Sequence, residues 1–103
     1  MISKKLRLPI SSFPKRGYFV FRHSFGTTKV IGNKLRYNRL GVIISSKVEP
    51  KSTKRHFLKR KVLDTLQKLP DLGKDILVIF SSSPPKSDVL VSINHIFNQI
   101  QNV

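Results

Sequence analysis

The side chains best suited to bind a charged ligand lie in the segment KSTKRHFLKRK, from Lys51 to Lys61. Six of these eleven residues are Lys or Arg, and none is acidic. Both side chains bind phosphate groups as cations and as hydrogen-bond donors. If Ser52 or Thr53 is the N-cap, a helix extends from there to about Lys68. Because a helix dipole favours anions at its N-terminus, this cluster of cations indicates a phosphate-binding surface more than a device that stabilises the fold.

The same helix has a side that must be buried. Apolar residues recur along it at helical spacing, at Leu58, Val62, Leu66 and Leu69. The strip beside this apolar stripe holds Arg55, His56, Lys59 and Arg60. The helix therefore presents positive charge outward while its neighbouring side packs into a core. A solvated basic face without a ligand is the alternative interpretation.

Side chains that could form a catalytic centre in the protein itself are scarce. No two of the five acids form a close pair in the sequence. The acids are Glu49, Asp64, Asp71, Asp75 and Asp88. The three histidines are far apart and lack the spacing of metal ligands, and they are His23, His56 and His95. The chain has no cysteine, no phosphate-binding glycine loop and no nucleophile elbow. We expect no catalytic residue and no metal site in this protein.

Strands and helices can be assigned to most of the chain. Apolar and β-branched runs predict four strands, at 18–22, 24–31, 39–48 and 75–81. Besides the basic helix, a helix is predicted over 87–101 with the apolar stripe Val89, Ile93, Ile96 and Ile100, and a short helical turn at Ser11–Phe13. Gly26 weakens the second strand or marks a bulge. This order predicts an α+β sandwich with helices packed on a four-stranded sheet.

The charge balance limits the class of partner. The chain has 103 residues, which we interpret as one domain over 1–103. Twenty Lys and Arg against five Asp and Glu give a net charge of +15. Eleven basic residues precede Glu49, the first acid, whereas Lys86 is the only Lys or Arg after Asp75. This excess of positive charge repels itself, and a polyanion would neutralise it. Nucleic acid is therefore the expected partner.

The hydropathy pattern bears on location. No apolar run approaches the roughly 18 residues that a membrane span needs, and the basic N-terminus lacks the apolar stretch of a secretory signal. The absence of cysteine excludes a disulfide framework and fits a reducing compartment. We expect a cytoplasmic protein without a membrane partner.

Several short motifs follow one another in a definite order. They are Arg39-Leu40-Gly41, Ser45-Ser46-Lys47-Val48, the basic RHFLKR of Arg55 to Arg60, Asp75-Ile76-Leu77-Val78-Ile79, Pro84-Pro85 and the helix over 87–101. In order and spacing they resemble the protein subunit of bacterial ribonuclease P. The resemblance covers about 39–101 and extends loosely to Leu6-Arg7-Leu8 and Ser12-Phe13.

The chain departs from that family's pattern at several positions. His56 replaces the usual Asn, Phe57 stands where an Arg is frequent, and Ser46 replaces a frequent Lys. Pro14 shortens the first helix, so of the two aromatic residues that this helix usually carries, only Phe13 has a counterpart here. The resemblance therefore implies one altered RNA contact and a reduced aromatic surface.

The resemblance implies an αβββαβα two-layer sandwich with a four-stranded sheet, the fold of domain IV of elongation factor G. A left-handed βαβ crossover joins its third and fourth strands, against the usual rule. The implied role is to assist a large catalytic RNA that removes the 5′ leader from precursor tRNA, while that RNA and its Mg²⁺ perform the hydrolysis. The implied partners are ribonuclease P RNA, with one protein per RNA, and precursor tRNA.

Two sets of site residues follow from the resemblance. The contacts to the catalytic RNA are Arg39, Lys47, Lys54, Arg55, His56, Lys59, Arg60 and Lys61. The contacts to the precursor-tRNA leader are Phe13, Lys15, Arg16, Phe19 and Phe21. For Phe19 and Phe21 the alternative is packing in the core.

Three other functions compete with this interpretation. A structural RNA-binding protein of the ribosome, or of another ribonucleoprotein, would have the same charge and class of fold but no effect on tRNA processing. A DNA-binding module would be equally basic, but the sequence has no helix-turn-helix or zinc pattern. A protein-only nuclease would need acids or metal ligands that the sequence does not group together.

Overall fold

The structure is a computed structural model, and it describes residues 7–8, 13, 17–23, 25–70 and 73–101. Its four strands are β1 (Phe19–His23), β2 (Gly26–Gly32), β3 (Arg39–Ile43) and β4 (Lys74–Phe80). Helix α1 (Ser52–Leu66) lies between β3 and β4, and α2 (Val89–Gln101) follows a single helical turn at Lys86–Asp88. The α+β class and the element order from the first strand onward are confirmed.

The four strands form one mixed sheet in the order β1-β2-β4-β3. Strand β2 lies antiparallel to β1 and to β4, whereas β3 and β4 are parallel neighbours. Parallel neighbours cannot be joined by a tight turn and need a crossover connection, which here contains α1. The left hand of that crossover stays a prediction.

Both helices pack on the same face of the sheet. Side chains directly opposite one another on paired strands point to the same face, and Val30, Ile76 and Leu40 are opposite one another across three strands. These three residues belong to one buried hydrophobic cluster with the apolar stripes of the helices. The helix residues in this cluster are Leu58, Val62, Leu66, Val89, Ile93, Ile96 and Ile100, with Leu69 just beyond α1. Both predicted stripes are confirmed.

Strand β3 is shorter than predicted. It ends at Ile43, because the chain then enters a turn in which the amides of Val48 and Glu49 both donate to the carbonyl oxygen of Ser45. This turn delivers the chain to the start of α1. The second half of the predicted strand is therefore a connection that sets where the basic helix begins.

The cap of α1 also differs from the prediction. Its N-cap residue is Lys51, and no side chain caps the first turn by a hydrogen bond, so the predicted Ser or Thr cap is wrong. The helix ends at Leu66 rather than near Lys68. The predicted helical turn at Ser11–Phe13 lies outside the described residues, except for Phe13.

Asp75 fixes the start of β4 against its neighbours. Its carboxylate accepts hydrogen bonds from Nε and Nη2 of Arg39, at 2.8 and 2.6 Å, and from Nδ2 of Asn33 at 2.9 Å. Asp75 is buried, and a buried carboxylate needs such partners because the removal of an unpaired charge from water is costly. This acid therefore has a structural role. Asp71 lies outside the described residues.

Gly26 allows β2 and β4 to approach each other closely. A Cβ at this position would collide with the carbonyl oxygen of Ile79 on β4. Gly26 pairs in register with His23 on one side and Phe80 on the other, so no bulge is present at this position. The glycine is required by space and not by a turn.

We expect Gly26→Ala to lower the free energy of unfolding by about 1–3 kcal/mol, because the strands must separate to admit the methyl group. Gly32→Ala, at the other end of β2, is the matched control, since nothing lies within 4 Å of the added Cβ. Its effect should stay within about 0.5 kcal/mol. Urea denaturation at pH 7 measures both values, and equal stabilities of the two variants would contradict the prediction.

Candidate nucleic-acid interface

The start of α1 is held in place by Glu49, which is 7% exposed. Oγ of Ser83 donates a hydrogen bond of 2.7 Å to the Glu49 carboxylate, and the amide of Lys51 donates another of 3.2 Å. Nζ of Lys54 lies 3.2 Å from the same carboxylate. The hydrogen bond from Ser83, followed by those from Lys51 and Lys54, lowers the pKa of Glu49 from 4.5 to about 2. Since Ser83 lies in the loop after β4, this network joins the helix start to a distant part of the chain.

Arg55 stabilises the same turn from the helix side. Its Nη1 donates to the carbonyl oxygen of Glu49 at 2.8 Å and to that of Pro50 at 3.0 Å. The guanidinium carries five N–H donors in all, so it can hold this turn and still bind a phosphate. Arg55 therefore combines a structural contact with the RNA contact predicted for it.

Most of the predicted RNA contacts lie on α1 or in the turn that precedes it. Lys47, His56 and Arg60 are exposed, and Lys59 and Lys61 are half-buried. We call the following set the α1 basic surface: Lys47, Lys51, Lys54, Arg55, His56, Lys59, Arg60 and Lys61. Arg39 does not belong to it, because it lies at the start of β3 rather than on α1, and its guanidinium is paired there with Asp75. RNA binding by any of these residues stays a prediction.

The sheet has a second face, opposite the helices. Strand register places Val20, Lys29 and Leu77 next to one another on this face, with Gly41 beside Leu77. Leu8 is buried there, and its side chain would lie 3.3 Å from a Cβ added to Gly41. Leu8 therefore covers the β3 side of this face.

An aromatic and cationic cluster lies on the β1 side of the second face. Nζ of Lys29 is 4.7 Å from the ring centroid of Tyr18, and the ring of Phe13 lies 5.6 Å from that of Tyr18. Arg22 is exposed and shares this face, because it pairs with Thr27 in the register that also pairs Val20 with Lys29. We call Phe13, Tyr18, Arg22 and Lys29 the N-terminal cluster.

Three members of this cluster were not among the predicted leader contacts, namely Tyr18, Arg22 and Lys29. The sequence YFVFRH, residues 18–23, contains a pattern that could have identified two of them, Tyr18 and Arg22. A strand places every second residue on the same face, so Tyr18 and Arg22 must face away from Phe19 and Phe21. The contact with Lys29 could not be read in this way, because it depends on the pairing of two strands.

The other predicted leader contacts are divided between different places. Phe19 and Phe21 lie on the helix-covered face, opposite Val30 and Thr28. Phe21 packs against the core, whereas Phe19 is 62% exposed on the edge strand β1. Core packing, the alternative stated for both, therefore fits Phe21. The predicted contacts Lys15 and Arg16 lie outside the described residues.

Two of the histidines, though far apart in sequence, come together in the fold. His23 and His95 line one cavity of about 260 Å³ with Val91 and Ser92. Burial lowers the pKa of His23, and the charge of His95 lowers it further. Among the described residues, no group of three or more His, Cys, Asp or Glu is placed to hold a metal ion. Within the same residues no helix has both the length and the hydropathy that crossing a membrane requires.

Comparison with solved structures identifies the architecture. The Staphylococcus aureus RNase P protein superimposes with a TM-score of 0.69 at 21% identity, over 82% of each chain. The RNase P protein from Thermotoga maritima superimposes with a TM-score of 0.65 at 22% identity, over 84% of each chain. The chain has the fold of bacterial RNase P proteins. No protein-family model matches the sequence, and the curated proteins include no significant match.

The Glu49 network makes a prediction about acid stability. The pKa of Glu49 is lowered from 4.5 to about 2. The contribution of its ionised carboxylate to folding stability is therefore present above pH 4.5 and is lost as the pH falls towards 2. Glu49→Gln should therefore lower the melting temperature at pH 7, and the difference from the parent protein should shrink as the pH falls below 4.5. Asp64→Asn, which removes the same charge from an exposed position of α1, is the control and should have little effect. Thermal unfolding followed by circular dichroism between pH 7 and pH 3 measures both, and a pH-independent difference would contradict the assignment.

Proposed function

We propose that this protein is the protein subunit of a ribonuclease P and assists an RNA catalyst in removing the 5′ leader from precursor tRNA. The observation that carries the proposal is the fold shared with RNase P proteins over more than four fifths of the chain. The α1 basic surface and the net charge of +15 support it, because both suit a polyanionic partner.

The contribution of the α1 basic surface would be electrostatic. Lys and Arg side chains that neutralise phosphates release condensed counterions, and this release favours binding at low salt. The anchoring of the helix start by Glu49 and Arg55 fixes the backbone positions from which these side chains project. A backbone that is already ordered adds no ordering cost of its own when RNA binds.

The N-terminal cluster is the surface we assign to the single-stranded leader. Tyr18 offers an aromatic ring on which an unpaired base can stack, and Lys29 and Arg22 supply charge for the adjoining phosphates. The cluster lies on the opposite face of the sheet from both helices. This placement lets one protein contact the leader without giving up the α1 basic surface.

The hydrolysis itself is assigned to the RNA partner and its Mg²⁺. Catalysis of phosphodiester hydrolysis by a protein requires acids, bases or bound metals positioned together. In the described part of the chain, Glu49 and Asp75 are tied into structural networks. The protein would therefore act by binding and positioning.

The decisive experiment is cleavage of precursor tRNA at low Mg²⁺ by the RNase P RNA of the same organism, with and without this protein. We expect the protein alone to be inert and to restore cleavage when the RNA is present. A protein that binds RNA but leaves cleavage unchanged would instead be a structural component of another ribonucleoprotein. Cleavage by the protein alone would indicate a protein nuclease.

The electrostatic role can be tested by one exposed cation. Arg60→Gln should reduce the slope of log affinity against log salt concentration by about 0.7–0.9 for each phosphate that the side chain neutralises, without changing the melting temperature. Lys68→Gln removes an equally exposed positive charge just beyond the other end of α1 and should leave the slope unchanged. Filter binding to RNase P RNA across a salt series measures both, and identical slopes for the two variants would exclude Arg60 from the interface.

The assignment of the leader can be tested with neighbouring aromatic residues on opposite faces. Tyr18→Leu should weaken the binding of precursor tRNA to the holoenzyme by about 1–3 kcal/mol, the value of one base stacked on an aromatic ring. Binding of mature tRNA, which lacks a leader, should not change. Phe19→Leu is the comparison, and a larger effect at Phe19 than at Tyr18 would place the leader on the other face of the sheet.

A further inference from the structure

A cavity of about 460 Å³ opens beside the start of α1. Its lining residues are Lys51, Thr53, Lys54 and Phe57. We call it the Phe57 pocket. Its volume falls within the range of roughly 300–1,000 Å³ that is typical of pockets for small organic ligands.

The aromatic ring in this pocket is not part of the hydrophobic core. Phe57 is 37% exposed, whereas its neighbour Leu58 is fully buried and belongs to the apolar stripe of α1. Nζ of Lys61, one turn further along, lies 5.7 Å from the centroid of the Phe57 ring and does not line the cavity. Phe57 therefore lines the cavity without belonging to the core.

The polar side of the pocket is cationic. Lys51 is exposed, so its charge is available to a ligand, and Thr53 adds a hydroxyl donor. Lys54 is paired with Glu49 at 3.2 Å, which holds the ammonium group in place but also compensates part of its charge. We therefore expect Lys51 to make the larger electrostatic contribution.

A flat apolar surface beside two ammonium groups matches the chemistry of an unpaired nucleotide. The base can stack on the aromatic ring, and the phosphate can lie between the lysines. An apolar peptide would gain nothing from Lys51, and a phosphate alone would not use the ring. A pocket that is lined by both an aromatic ring and lysines therefore favours a nucleotide over an apolar peptide or a phosphate alone.

We propose that the Phe57 pocket binds one unpaired nucleotide of RNA, with its base on Phe57 and its phosphate at Lys51. The pocket would add a base contact to a surface whose other contacts are phosphate contacts. The identity of the RNA rests on the proposed function, whereas the existence of the site does not.

The test uses a five-nucleotide oligoadenylate with a central 2-aminopurine, whose fluorescence is quenched when the base stacks. Binding to the full chain at low salt should quench this fluorescence. Phe57→Leu should weaken binding by about 5- to 150-fold and abolish the quenching, while Phe57→Tyr should retain both. The same pair of variants is compared in a Tyr18→Leu background, so that stacking at the N-terminal cluster does not contribute to the signal.

The phosphate contact is tested separately from the stacking. Lys51→Gln should reduce the salt slope of oligonucleotide binding by about 0.7, the value for one contact to single-stranded nucleic acid, and should keep the quenching at saturation. Lys68→Gln is the matched control and should change neither. If Phe57→Leu binds and quenches like the parent protein, or if Lys51→Gln has no effect on the slope, the proposal is overturned.

Two further arms identify the source of the nucleotide. A defect of Phe57→Leu in binding RNase P RNA assigns the nucleotide to the catalytic RNA, whereas a defect that grows with leader length in precursor tRNA assigns it to the substrate. Either result supports the pocket. The oligonucleotide assay needs no RNase P RNA, so a failure of cleavage stimulation would remove the proposed function and leave the pocket standing.

Discussion

The geometry of the whole basic surface depends on one buried carboxylate. Glu49 is the first acid in the sequence, and it joins the start of α1 to Ser83 in the loop after β4. No side chain caps the helix at Lys51, so this network and the contacts of Arg55 with the preceding carbonyls define where the helix begins. A shift of that start by one residue would rotate every cation on α1 by about 100° around the helix axis.

The positive charges of the chain fall into two classes with different partners. Arg39 and Lys54 are paired with Asp75 and Glu49, the two acids that are buried among the described residues. These pairs stabilise the fold locally, and the net charge of +15 already includes both acids. The excess positive charge repels itself, and the RNA partner that we propose would relieve this repulsion.

Local patterns predicted the elements well and their contacts poorly. Helical spacing identified the stripe of Leu58 and Val62, because burial of a helix face leaves a periodic trace in the sequence. Nothing local could reveal that Glu49 meets Ser83 or that His23 meets His95, since those contacts arise when distant elements pack. The predicted cap failed for the same reason, because a distant network took the place of a local one.

The candidate site shows the same difference between features that local patterns predict and contacts that depend on distant elements. The cations of α1 could be predicted because they are consecutive, whereas the pairing of Tyr18 with Lys29 needs the register of β1 against β2. The register also determines that the sheet separates the N-terminal cluster from the helices. A sheet of four paired strands deforms little, so the two surfaces keep a fixed separation. Two RNA segments bound to them would therefore be held at a set distance, and the second would bind at the high effective concentration created by the first. Positioning of this kind needs no catalytic group in the protein, which fits a strongly basic chain whose acids Glu49 and Asp75 serve the fold.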